Sequence, residues 1–340
     1  MNRAAGSPPS AGELVERARR IADEVLLPQA GTVDRAGDFP SRQLDEIAAA
    51  GLYGILAPAT HGGLESDPRT FARVLEELAS GCLTTAFVWG QHHNAVRAVA
   101  AAEPGLRDAW LPGLASGARR AGVAFAALRR PGPPLLRATL DGDDLVLDGI
   151  APFVTGWSHV DVVHVAARTE EDDVVWSLVD ALPAASLDAS EVELAALGAS
   201  STATVRFSSH RVPRGRVTLV EPLATWRERD RRSLRTNGAL ALGVASRCAR
   251  ILGSQRLADA VGRGRDALAT VRDEDVPRAR AEAARLAMRA ATELVVARGS
   301  RAVAVGDDAP RLVREAMFLL VFGQTDQIRA EQLALAALDD

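Results

Sequence analysis

Apolar positions recur at helical spacing through the first third of the chain. Leu14, Ala18, Ile21 and Val25 share one face behind Ser10 and Glu13, which have the spacing of a capping box, and Pro28 is expected to stop this helix. A second helix is expected over Ser41 to Ala50, ended by Gly51. A third opens on Asp67-Pro68 and buries Phe71, Val74, Leu75 and Leu78, and a fourth runs from about Thr84 to Ala102. From about Gly122 the period changes to two. RATLDGDDLVLDGIAPFVTGW alternates around a DGDD turn and reads as a hairpin. VDVVHVAARTEEDDVVWSLVD holds two β-branched runs, and TATVRFSSHRVP ends the strand region near Pro213. From Ser233 the helical period returns. One later helix starts at Pro277, places Ala283, Leu286, Ala287, Ala290 and Leu294 on one face, and closes at Gly299. Two more helices flank Gly323.

The expected fold is therefore α+β and multidomain: an N-terminal helical domain (1–120), a central antiparallel β-domain (121–220) and a C-terminal helical bundle (221–340).

Composition narrows the chemistry. The chain has 340 residues, 47% hydrophobic and 25% charged, with a net charge of −4, so nothing points to nucleic acid or an anionic membrane. No apolar run approaches the roughly 18 residues of a spanning helix. The first residues, MNRAAGSPPSAGE, read as a loose leader without a signal-peptide core, and a cytoplasmic location is expected. Two cysteines, Cys82 and Cys248, are too few for a disulfide framework, and no metal site is expected. All 40 basic residues are arginine. Without lysine, a Schiff base with pyridoxal phosphate and a phosphate-loop lysine are both excluded.

Short motifs in order add a resemblance. FPSRQLDEIAAAGLYGILAPATHGG (Phe39 to Gly63), WLPGLASG (Trp110 to Gly117), SSTATVRFSSHRVP (Ser200 to Pro213), LRTNGALALGVA, and PRLVREAMFLLVFGQTDQIR together resemble the acyl-CoA dehydrogenase family of flavoproteins. The resemblance is weakest from Gly253 to Asp275. WLPGLASG corresponds to the family's loop leading into the sheet domain. The resemblance implies a flavin between the β-domain and the bundle, with FAD expected and FMN or no flavin as alternatives. The family's aromatic-x-Thr strand matches Phe153-Val154-Thr155, so Phe153 would cover the ring and Thr155 would bond its N5, with Trp157 extending the wall. An ordinary strand alternating in and out accounts for the same residues.

The chain also departs from the family's pattern. In AFAALRRPGPPLL, Leu128 stands where the family has a flavin-binding threonine, and the phosphate-binding Gly-Ser-Asp is absent. The bundle's Arg-x-x-x-Phe-Gly is missing too; Arg129 and Arg130 are alternative pyrophosphate ligands. Gly323 takes the place of the family's catalytic glutamate. Leu234, before Arg235, takes the place of the base used by a minority of members. His92 and Glu315 remain as candidate acid/base groups, against the plainer readings of a packed histidine and a structural acid. Asp326 reads as an N-cap. The expected substrate pocket is formed by His92, Arg235 and Gly323, and it would take an acyl thioester or another small hydrophobic molecule.

Three readings follow. One is an acyl-CoA dehydrogenase-like oxidoreductase with diverged chemistry. Another is an oxidase or monooxygenase of the same fold, which TTAFVWGQHH also resembles. The last is a non-catalytic partner subunit. The chain is expected to form a homo-oligomer or to pair with a homologous subunit.

Overall fold

The computed structural model describes residues 8–36 and 41–337. The leader residues 1–7, with Phe39 and Pro40 of the first family-like segment, lie outside the described residues. Six helices come first: α1 (Ala11–Ile21), α2 (Leu27–Ala36), α3 (Ser41–Ala49), α4 (Pro68–Gly81), α5 (Leu83–Ala100) and α6 (Pro104–Ser116). Ser10 and Glu13 form the expected capping box, and Asp67 accepts from the backbone N–H groups of Arg69 and Thr70.

Pro28 does not stop its helix. A five-residue π turn, Ala22–Leu26, joins α1 to α2 and carries the chain through the proline to Ala36. The widened turn displaces the carbonyl that the Pro28 ring would strike in a regular helix. It packs against Gly81, where a Cβ would stand only 2.6 Å from the Ala22 carbonyl oxygen. The WLPGLASG segment also differs from expectation. Trp110 to Ser116 are the last two turns of α6, and the loop begins at Gly117 in a left-handed cap.

The sheet follows as β1 (Ala121–Ala124), β2 (Leu136–Asp141), β3 (Asp144–Val154), β4 (Val162–Arg168), β5 (Asp173–Asp180), β6 (Leu187–Glu191), β7 (Ala203–Pro213) and β8 (Val217–Pro222). The order is β6-β7-β3-β2-β4-β5-β8, with β1 beside β4. Pairing is mostly antiparallel, including the hairpin in which Asp141 faces Asp144, but β1 and β2 meet β4 in parallel. β1 thereby brings one end of the sheet against α5.

The C-terminal helices are α7 (Leu223–Leu252), α8 (Gln255–Thr270), α9 (Val276–Arg298), α10 (Asp308–Val321) and α11 (Asp326–Ala336). α7 begins ten residues before Ser233: its first turns bury Leu223 and Trp226 against the sheet. Thr325, rather than Asp326, caps α11, its hydroxyl accepting from the Ile328 N–H. The main core is helical and joins α1, α4 and α5 to α7, α9 and α10; a second core lies within the sheet.

Candidate active site

A cavity of about 110 Å³ opens where α4, α5, the end of β1, α7 and the α10–α11 joint converge. Its floor is apolar, formed by the buried side chains of Phe71, Leu75, Phe87, Val123 and Leu240. Phe87 stands edge-on to Phe318 at 5.2 Å and to Phe322 at 4.7 Å, which ties α5 to the joint. The rim is polar: Gln91, Asn94 and Arg97 from α5, Arg129 from the turn after β1, and Asn237 from α7. Among the described residues, no aspartate or glutamate lines this cavity.

Gly323 forms the joint between α10 and α11 in the left-handed region, φ 61°. A side chain there would begin 3.3 Å from Asn237 Nδ2 and 3.6 Å from Arg129 Nη1, both rim groups. From below, buried Arg280 donates to the Leu319 and Phe322 carbonyls at 3.2 and 3.3 Å, so its cation closes the C-terminal end of α10. Arg129 lies 4.9 Å from the centre of the Phe125 ring and donates twice to Asp230, at 2.8 and 2.7 Å. Asp230, the carboxylate beside the rim, is neutralised by this fork.

Asn94 is oriented from behind. Its Oδ1 lies 2.6 Å from Nδ1 of His164, a buried ring stacked on Trp176 at 4.5 Å. Burial, and then the Arg229 cation, lower the His164 pKa to about 3, so the ring carries one proton at neutral pH. Because the Asn94 oxygen can only accept, the proton lies on Nδ1, and Nε2 accepts from the Thr218 hydroxyl at 2.7 Å in place of that hydroxyl's longer contact with the Trp176 carbonyl at 3.3 Å. The Asn94 amide N–H groups are then left for the cavity.

The other residues singled out in the sequence lie elsewhere. His92 is buried; its Nδ1 accepts from the Ala121 N–H at 3.0 Å and its Nε2 donates to the Leu114 carbonyl at 3.1 Å. Burial lowers its pKa to about 3, and the ring works as a strut between α6 and β1. Glu315 is buried in the bundle and accepts from Arg311 at 2.7 Å; burial pushes its carboxyl up against the pull of that cation. Arg235 lines a separate cavity of about 330 Å³ with Asp67, Glu76 and Arg265, and donates to the Leu268 carbonyl and to Asp273 at 3.0 and 2.9 Å.

Phe153, Thr155 and Trp157 do not line the cavity, but their segment packs on two of its walls. Gly122 of β1 approaches the Thr155 carbonyl, and Gly156 approaches Val88 of α5. Sequence reasoning missed Asn94, Arg97 and Asp230. A signal was present: Phe87, Gln91, Asn94 and Arg97 fall on one stripe of an otherwise buried helix.

The model of the acyl-CoA dehydrogenase N-terminal domain matches residues 9–118. The N-terminal third of the chain thus matches the acyl-CoA dehydrogenase N-terminal domain. It is 32% identical over 163 residues to cyclohex-1-ene-1-carbonyl-CoA dehydrogenase of Syntrophus aciditrophicus, a stretch covering 46% of this chain and 39% of that protein. It is 24% identical over 221 residues to the mitochondrial short-chain specific acyl-CoA dehydrogenase of Homo sapiens, 62% of this chain and 53% of that one. It thus spans about two-fifths to half of the length of these relatives. The butyryl-CoA dehydrogenase structure from Megasphaera elsdenii superposes with a TM-score of 0.82 at 18% identity, over 99% of this chain and 100% of that one, which establishes the shared fold.

The family cofactor can be tested against these residues. Phe153 adopts φ 55° at a bulge and leaves half its ring exposed, a strain of about 1–3 kcal/mol that a stacking role would explain. Hydroxyls run from Ser200 to Thr202 at 2.8 Å and on to Thr155 at 3.2 Å; donation in that direction leaves the Thr155 proton available. These groups fit the edge of a flavin ring. The phosphate cradle is a poorer fit: Leu128 is buried and Arg129 is already closed on Asp230. No helix among the described residues is long and apolar enough to cross a membrane, and no cluster of metal-ligating side chains occurs among them.

Proposed function

We propose that this chain is a flavin-dependent oxidoreductase of acyl-CoA dehydrogenase type whose chemistry has diverged from base-assisted desaturation. The observation that carries the reading is the cavity beside Gly323, which has an apolar floor, a rim of amides and arginines, and no carboxylate in its lining. At about 110 Å³ it is smaller than a cavity of about 150 Å³ that admits benzene, so it suits a short acyl portion of a thioester. FAD is the cofactor proposed, with Phe153 and Trp157 flanking the ring and Thr155 donating to its edge. When bound, it supplies the acceptor for a hydride. The chain's own residues hold the acyl group over Phe87 and Leu240 and offer Asn94 and Asn237 as hydrogen-bond donors. Without a base to remove a proton beside the thioester, an oxygen-using reaction of the same fold is the natural variant.

The occupied Arg129 and buried Leu128 favour a second reading, a non-catalytic subunit that pairs with a homologous chain. The spectrum of the purified protein separates the two. Visible flavin absorbance in the chain purified alone, left unbleached by butyryl-CoA under anaerobic conditions, supports the diverged enzyme, and anaerobic bleaching would mean ordinary desaturation instead. A colourless chain that takes up no added FAD alone, and gains flavin only with a second subunit, supports the partner reading. Gly323→Glu is expected to confer or raise acyl-CoA oxidation; an unchanged rate in a folded, flavin-loaded variant counts against a thioester reaching this joint.

A further inference from the structure

The cavity beside Gly323 and the larger cavity beside Arg235 are neighbours across one seam, formed where α4 and α7 run side by side. At one end of the seam the helices touch. A side chain on Gly243 would begin 2.7 Å from the Ala79 Cβ, and Arg247 donates to the Ser80 carbonyl at 2.6 Å. Nearer their N-terminal ends, each helix faces both cavities. α4 turns Phe71 and Leu75 to the smaller one and Ala72 and Glu76 to the larger. α7 turns Asn237 and Leu240 to the smaller and Ala239 and Leu242 to the larger. Among the described residues, only Thr236 lines both.

The larger cavity suits an apolar occupant. Ala72, Ala239, Leu242 and Leu268 form its wall, and the buried Glu76 carboxylate beside them is already held by Arg73 and Arg265. Arg235 is likewise spent on the Leu268 carbonyl and Asp273. Leu268 comes from α8, inside the stretch of the chain least like the family. Size sets what each cavity can take. At about 30 Å³ per water-sized group, the cavity of about 110 Å³ holds about four non-hydrogen atoms and that of about 330 Å³ about eleven. A butyryl group fills the first, and a longer chain must pass Thr236.

We infer that Thr236 is the partition that ends the acyl cavity, and that the cavity on its far side is a closed-off extension for the apolar tail of a longer acyl group. Thr236 is then the residue that sets chain length. The acyl part of this inference rests on the thioester reading above; the partition itself does not.

Calorimetric titration of the full chain with butyryl-CoA and octanoyl-CoA tests it. Thr236→Ala keeps a good helix former at the position and removes the hydroxyl and the methyl from the seam. It should tighten octanoyl-CoA by about tenfold or more, through burial of the added methylenes, and leave butyryl-CoA within about twofold. Ala72→Leu fills the larger cavity alone, so Thr236→Ala with Ala72→Leu should lose that gain. No gain in a Thr236→Ala variant with unchanged melting overturns the partition. A gain that survives Ala72→Leu overturns the extension, and an octanoyl preference already present in the native chain overturns Thr236 as the barrier. Should neither thioester bind any of these proteins, the thioester reading fails. Titration with 1-butanol and 1-octanol then decides the partition alone: an octanol gain from Thr236→Ala that Ala72→Leu cancels keeps it, and none overturns it.

Discussion

In the helical bundle, Arg311 lies buried between Asp308 at 2.8 Å and Glu315 at 2.7 Å, and Glu76 is gripped by Arg265 at 3.0 and 2.8 Å and by Arg73 at 2.9 Å. Arg280, without a carboxylate, is met by the carbonyl end of α10. At the cavity rim, Arg97 is exposed to solvent beside an apolar floor and neutral amides. In the bundle, removing either member of a pair strands a buried charge, so both members are held there by stability. Arg97 has no such partner to strand. Exposed at the rim, its charge is answered by solvent, and the same contrast separates Glu315, an acid already paired in the core, from an acid open to the cavity.

The contrast can be broken most forcefully at Arg311. Arg311→Met leaves Glu315 buried without its cation and should lower stability by about 3–5 kcal/mol in urea unfolding, while adding Glu315→Leu should recover most of that loss. A double variant as unstable as the single one would mean that the pair is not the source of the effect.

Acid should act next most strongly, through the buried histidines. His92 and His164 are held at about 3 against an ordinary 6.5, and burial keeps His93 well below it too. Below 6.5 the unfolded chain takes up protons that the folded chain refuses, so stability should fall as pH drops from 6.5 toward 3. With three rings the slope is about 4 kcal/mol per pH unit once the unfolded histidines are charged, and His164→Gln should remove about a third of it. Urea midpoints measured between pH 7 and pH 5 read this directly.

The smallest effect should come from Arg97→Gln, which is expected to change stability by no more than about 0.5 kcal/mol because it breaks no pair. A large loss there would make Arg97 another structural cation and erase the distinction.

Much of the fold was legible because its determinants are local. Phe71, Val74, Leu75 and Leu78 form a face within one helix, Asp67 caps that helix three residues from Thr70, and the Gly142 turn closes a hairpin between adjacent strands. Local rules failed at Pro28, where packing against Gly81 accommodates a π turn, and at the start of α7. There ATWRERDRRS shows no apolar face, and only contact with the sheet buries Trp226.

The sequence by itself determined the succession of helices, strands and helices, the exclusion of lysine chemistry, and a glycine between the last two helices. Tertiary structure alone decided that Arg129 meets Asp230 across 101 positions, that His164 turns Asn94 across 70, and that Arg97 stays exposed at the rim without a counter-ion among the described residues. Periodicity and caps depend on neighbours within a helical turn and can be read along the chain. Whether a charge is answered depends on which distant segments fold against it.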